Sequence, residues 1–179
     1  MKRGILCTFA ILGICLILVA GCTTSTPGIN GTPAPGQTAP GQDEIAVLTN
    51  GTYAINASVY QITTGRSQSG SHEIDIYITA RNTGTTPIQL RWFSRITGAN
   101  GVSYGGVGVS HAGSGAETGP LEPGSQGTPR DYIVIGSDVD YKALANGATL
   151  EVFFVTEPLD NQPPVSFSTE WILDPSVFT

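Results

Sequence analysis

Cysteine is the residue type with the plainest chemistry in this chain. Cys7 and Cys15 lie inside an apolar stretch, and Cys22 closes the run Leu18-Val19-Ala20-Gly21-Cys22. Ala20 and Gly21 let a peptidase groove approach the backbone closely, and the Cys22 thiol is the nucleophile that a thioether-linked lipid requires. Upstream, Lys2 and Arg3 followed by the apolar run Ile5 to Ala20 read as the basic start and core of an export signal. An uncleaved spanning anchor is the competing reading, for which the run is slightly short. Either way the rest of the chain lies outside the cytoplasmic membrane. The three cysteines are then spent, leaving no disulfide and no thiolate for zinc.

Other chemistry is sparse. His72 and His111 are far apart in sequence and form no helical His-x-x-x-His pair, so they read as unrelated surface imidazoles rather than a metal or catalytic pair. No Gly-x-Ser-x-Gly elbow occurs. Gly105-Gly106-Val107-Gly108 lacks the Lys-Ser/Thr and the helix that a phosphate loop needs. Asp138-Val139-Asp140 offers alternate carboxylates to a hard cation such as calcium, but capping of a short helix accounts for the same residues. No catalytic residue, metal ligand or cofactor is expected. Asn30, Asn50 and Asn56 each begin an Asn-x-Ser/Thr glycosylation acceptor triplet.

Removal of Lys2 and Arg3 with a signal segment leaves 6 basic against 14 acidic residues, a formal net charge of −8. Such a surface is repelled by nucleic acid phosphates, so nucleic acid is not an expected partner.

The residues just named must be positioned by β-structure. Residues 23–42 carry no charge and almost no large apolar side chain, and read as a tether with an r.m.s. span on the order of 25 Å. From Asp43 to Thr179 the pattern is strands between glycine turns, a single-domain length. Ile45–Leu48 and Thr52–Ile62 flank an Asn50-Gly51 turn as a hairpin, and the phase change at Tyr60 calls for a bulge. Ile74, Ile76, Ile78 and Ala80 alternate inward against Glu73, Asp75, Tyr77, Thr79 and Arg81. After the turn Asn82–Pro87, Ile88, Leu90, Trp92 and Ile96 point inward and Gln89, Arg91, Phe93 and Arg95 outward. Val102–Tyr104 is a short edge strand, and the nine glycines from Gly101 to Gly127 mark a long irregular stretch of the kind that carries binding surfaces. Tyr132–Ile135, a capped helix Asp138–Ala145 ended by Asn146-Gly147, and strands Leu150–Val155 and Val165–Ile172 complete the chain. The fold class expected is all-β: a two-sheet antiparallel sandwich with one short helix, preceded by a signal (1–21) and a tether (22–42), with the domain spanning 43–179.

Arg91, Phe93 and Arg95 form the candidate binding row. If Glu73, Asp75 and Tyr77 stand on the adjacent strand, the row is explained by cross-strand pairing. If Phe93 stays exposed, an aromatic ring between guanidinium groups suits a sugar ring or a partner protein.

Two resemblances add to this reading. Leu-Val-Ala-Gly-Cys behind Lys-Arg resembles the lipobox of prokaryotic lipoproteins, over the first 22 residues only; it implies removal of residues 1–21 and lipid on Cys22. Asn82-Thr83-Gly84, Asn100-Gly101-Val102-Ser103-Tyr104 and Leu121-Glu122-Pro123-Gly124, set between strands across residues 52–156, are similar to the uncharacterised immunoglobulin-like extracytoplasmic domains found behind lipoprotein signals. That likeness implies a fold and a location, and no activity. The functional expectation is a membrane-anchored, non-enzymatic binding or structural module at the cell surface, with a surface protein or glycan as partner and the membrane reached through the N-terminal lipid. A small surface hydrolase or metal-dependent enzyme is the alternative.

Overall fold

A computed structural model describes residues 41–50, 53–106, 115–157, 159 and 164–179. The expected signal segment, the expected lipid acceptor Cys22, nearly all of the expected tether, Asn30, His111 and the glycine-rich residues 107–114 lie outside the described residues.

In chain order the strands are β1 (Ala46–Thr49), β2 (Ala54–Arg66), β3 (His72–Asn82), β4 (Gln89–Gly98), β5 (Ser103–Gly105), β6 (Ala116–Glu117), β7 (Gln126–Gly127), β8 (Arg130–Ile135), β9 (Ala148–Glu157) and β10 (Ser166–Leu173). A helix, α1 (Asp138–Ala143), runs into a 3-10 turn at Leu144–Asn146, and a second 3-10 turn spans Pro175–Phe178. Sheet one runs β1-β2-β3, with β8 and the short β7 both on the far side of β3; sheet two runs β10-β9-β4, with β5 and β6 both pairing β4. Every pairing within the two sheets is antiparallel. The chain thus lays down β2 and β3 in one sheet, crosses for β4 and β5, returns for β8 and crosses again for β9 and β10. That is the A-B-E over G-F-C-C′ order of an immunoglobulin-like sandwich.

The core follows the period-2 pattern. Ile74, Ile76, Ile78 and Ala80 from β3 face Leu90, Trp92 and Ile96 from β4, and all are fully buried. Trp92 meets Phe154 of β9 at a ring separation of 5.5 Å. The phase change in β2 is a register shift between Val59 and Gln61, which turns Tyr60 out to 69% exposure. An extra residue on one strand is the only way for Ile55, Ala57 and Val59 on one side of it and Ile62 on the other to share a face.

The crossover after β3 is pinned by Asn82. Its side chain is fully buried; Nδ2 donates to Thr86 O and Leu121 O, each at 2.9 Å, while Oδ1 accepts from the Gly84 N–H at 2.9 Å. The connection Asn82–Pro87 therefore does not fold β4 back beside β3 but carries it into the other sheet. At the far end, Ser137 caps α1 by accepting from the Asp140 N–H at 3.3 Å, and the α-helical part ends at Ala143, two residues earlier than the sequence pattern indicates. Gly147 closes the 3-10 turn with φ +120° and ψ 130°, a conformation open to glycine but not the left-handed helical cap expected there.

Candidate functional site

The outward side chains of β4 stand on the solvent face of sheet two. Phe93 lies directly opposite Phe153 of β9, which lies opposite Ser168 of β10, so an aromatic-to-hydroxyl row crosses three strands. Both phenyl rings are half-buried. One step along, Arg95 faces Glu151 and Glu151 faces Glu170. The Arg95 guanidinium sits 3.2 Å from the Glu151 carboxylate and 4.7 Å from the centre of the Phe153 ring. Partial burial pushes the Glu151 carboxyl above the usual carboxylate range, with Arg95 opposing and Glu170 adding to the rise. On the other side of the row, Arg91 lies 3.4 Å from Glu117 of β6, which also accepts from Gln89 Nε2 at 2.6 Å. A recess of about 190 Å³ opens here, lined by Arg91, Phe93, Gly115, Ala116 and Glu117.

The partners of this row differ from those the alternation suggests. Glu73, Asp75 and Tyr77 belong to β3 in sheet one, so their outward faces point away from Arg91 and Arg95. They have a cation of their own: Arg130 of β8 binds both Glu73 and Asp75 and stacks over Tyr132 at 5.1 Å. Alternation tells which face a side chain takes; it does not tell which strand lies alongside. Arginine–carboxylate pairing across strands does occur, with Glu117 and Glu151 in place of Glu73 and Asp75.

Beside the recess, the edge of β4 is held by a buried carboxylate. Between β5, which pairs Arg95 to Thr97, and β6, which pairs Arg91 and Trp92, the edge of β4 is left open at Phe93 and Ser94. Asp131, from β8 of the opposite sheet, fills that gap. It is 2% exposed, and its two oxygens accept from the Ser94 N–H and the Tyr132 N–H at 2.8 Å each. Burial raises the Asp131 pKa above the usual carboxylate range, while the hydrogen bonds from Ser94, Tyr132 and the Gly115 backbone work against that rise. Gly105 and Gly115 flank the gap. A Cβ on Gly105 would fall 2.5 Å from Ser94 O, and one on Gly115 would fall 2.9 Å from the Phe93 ring; both have positive φ, at +81° and +69°. Glycine is required at both places by contact as well as by conformation.

His72 is not a surface imidazole. It is 8% exposed, its ring stacks on Tyr141 of α1 at 3.8 Å and 5°, and its Nε2 lies 2.7 Å from Asp138, which also takes Arg66 at 2.9 Å. His72 shares parity with Ile74 and Ile76, and that parity is the signal that places it inward. Asp138 is thereby engaged with two side chains, and among the described residues no group of three or more His, Cys, Asp or Glu side chains is placed to hold a metal ion. Of the glycosylation triplets, Asn50 holds the hairpin turn, accepting from the Tyr53 N–H at 2.8 Å, and Asn56 lies half-exposed in β2 between Val47 and Arg81. Among the described residues no helix is long and apolar enough to cross a membrane.

No family model and no curated protein matches the chain. Solved structures similar to it include a Bordetella pertussis protein assigned as ApaA, at 17% identity and TM-score 0.44, covering 68% of this chain and 94% of that one. Another is an Archaeoglobus fulgidus protein at 16% identity and TM-score 0.39, covering 71% and 95%. A third, a Bacillus subtilis protein assigned as a lipoprotein (ycdA), is similar at 10% identity and TM-score 0.37, covering 68% of this chain and 38% of its own length. At these identities and scores the likeness bears on neither mechanism nor ligand.

Proposed function

We propose that the chain is a lipid-anchored module on the outer side of the cytoplasmic membrane that works by binding rather than by catalysis, through the face of sheet two around Phe93. The observation that carries this reading is the recess beside Phe93. At about 190 Å³ it is smaller than the roughly 300–1,000 Å³ of sites that enclose a small molecule, so it suits one protruding group of a larger ligand held at the surface. The β4 edge beside it is held by the buried Asp131 carboxylate and flanked by two glycines of positive φ, more construction than an ordinary solvated face requires. The acidic balance of the chain argues against a polyanionic partner. The anchor rests on the Leu-Val-Ala-Gly-Cys run and the uncharged tether behind it.

Two measurements test the reading. The mass of the membrane-extracted chain is expected to equal residues 22–179 plus lipid, and Cys22→Ser to retain the signal or release the domain. An intact, unlipidated chain beginning at Met1 overturns the anchor. A photo-crosslinking residue at position 93 is expected to capture an envelope component on intact cells, and the same residue at position 60, on the other sheet, to capture none. Equal capture, or no capture, at the two positions removes the sheet-two face from the account.

A further inference from the structure

On the reading that the face around Phe93 binds, we infer that its ligand is a neutral glycan, with one pyranose ring laid against Phe93 beside the Phe153 ring that Arg95 covers. The argument begins with the charges. Arg91 is paired with Glu117 and Arg95 with Glu151, and Glu170 stands opposite Glu151. Among the described side chains the face therefore carries two guanidinium groups against three carboxylates, all within one sheet. A polyanion would have to take the arginines from carboxylates already beside them, and would meet Glu170 as well. A polycation would have to take Glu117 and Glu151 from the guanidinium groups already beside them. A hydroxyl group both donates and accepts, so a surface on which fixed donors alternate with fixed acceptors suits a polyhydroxylated neutral ligand.

Shape points the same way. Phe93 and Phe153 are adjacent across the β4–β9 pair, and strands lie about 4.8 Å apart, so the two rings make an apolar strip on the order of 10 Å wide. The electron-rich faces of aromatic rings attract the polarised C–H groups of a sugar ring. Gln89, Arg91 and Glu117 border the strip on one side and Arg95 and Glu151 on the other, all with planar hydrogen-bonding heads that can reach ring hydroxyls in pairs. A protein partner makes a different demand, about 800 Å² of contact on its side. Here the outward positions of sheet two beyond the strip are mostly charged or polar, with Val155 half-buried beside the strip and Ile172 exposed on β10, rather than a broad apolar centre within a polar rim.

The test uses the detergent-extracted full chain and saturation-transfer NMR, which reads contact at the sugar C–H groups directly. The probes are maltohexaose, cellohexaose, xylohexaose and chitohexaose as neutral chains and hexagalacturonate as the acidic one. The expected result is transfer to at least one neutral probe, with none or at least tenfold weaker affinity for hexagalacturonate. Phe93→Leu, which keeps an apolar side chain and removes the aromatic face, is expected to lower affinity at least tenfold with the thermal midpoint little changed, and Phe93→Tyr to retain it. Transfer to no neutral probe overturns the inference, as does preference for hexagalacturonate or equal affinity in Phe93→Leu. Capture of a protein by the position-93 crosslinker, with no neutral probe bound, overturns the glycan while leaving the binding-module reading intact; capture of nothing overturns both.

Discussion

Folding drives two carboxylates in opposite directions. Asp131 is raised, first by burial; its protonated form is favoured in the folded chain, so the stability it contributes is largest in acid and is lost as pH rises through its raised folded value. Asp138 is lowered, first by His72 and then by Arg66; its contribution is present above the unfolded carboxylate value and is lost as pH falls through the lowered one. Denaturant unfolding over a pH series separates them. Asp138→Asn is expected to destabilise at neutral pH, with the gap from the parent chain closing below the ordinary carboxylate range. Asp131→Ala leaves the Ser94 and Tyr132 N–H groups without their acceptor, for about 1–3 kcal/mol each, and its gap is expected to narrow as pH rises. A gap that widens with pH would refute the assignment of Asp131. Both residues were partly legible: Asp131 has the parity of the inward Ile133 and Ile135. A carboxylate at the start of a strand nevertheless reads as part of the preceding turn, and nothing in the sequence reveals an open place on a strand of the other sheet that it could fill.

At the level of strands, the faces were readable and the neighbours were not. Ile76 and Trp92 are both fully buried, as their phase requires, so Ile76→Ala is expected to cost about 2–5 kcal/mol and Trp92→Ala about 3–5 kcal/mol. Tyr77→Ala and Gln89→Ala, on the outward phase, are expected to cost much less, and urea midpoints in the reverse order would mean that the two faces are exchanged. The β2 bulge was readable because the apolar phase visibly slips at Tyr60. The placement of β4 was not, since the turn Asn82–Pro87 looks the same whether the next strand folds back or crosses over. What decides is the burial of Asn82, whose amide is held by Thr86 and Leu121, the latter far along the chain. The two-residue strands β6 and β7 are too short to carry any period. Two of the five residues lining the recess, Ala116 and Glu117, were hidden for that reason, while Arg91 and Phe93, with their neighbour Arg95, were visible in the outward phase.

The sandwich as a whole follows from several short alternating strands and their turns, whereas the route by which the chain enters it does not. Gly41 bridges Ile172 in parallel, Gln42 Oε1 accepts from the Asp174 N–H at 3.3 Å, and Glu44 O accepts from Trp171 Nε1 at 3.0 Å. The first described residues are thus clipped to β10 before they turn into β1. β10 pairs β9, β9 pairs β4, and β4 carries Phe93. A pull exerted on residue 41 while the outer face of β4 is held therefore has a path through three neighbouring strands of one sheet, and the β1–β2 hairpin need not open while the clip holds. Mechanical strength between those two points is then set first by three contacts at the entry. Trp171→Phe removes one of them and is expected to lower the rupture force measured between handles at residues 41 and 93, and also to lower chemical stability by more than the roughly 0.5–1.5 kcal/mol of the lost hydrogen bond, because the fully buried indole leaves a cavity. An unchanged rupture force would mean that tension enters through β1 instead. With the clip intact, tension between residue 41 and the outer face of β4 stretches sheet two and leaves sheet one slack.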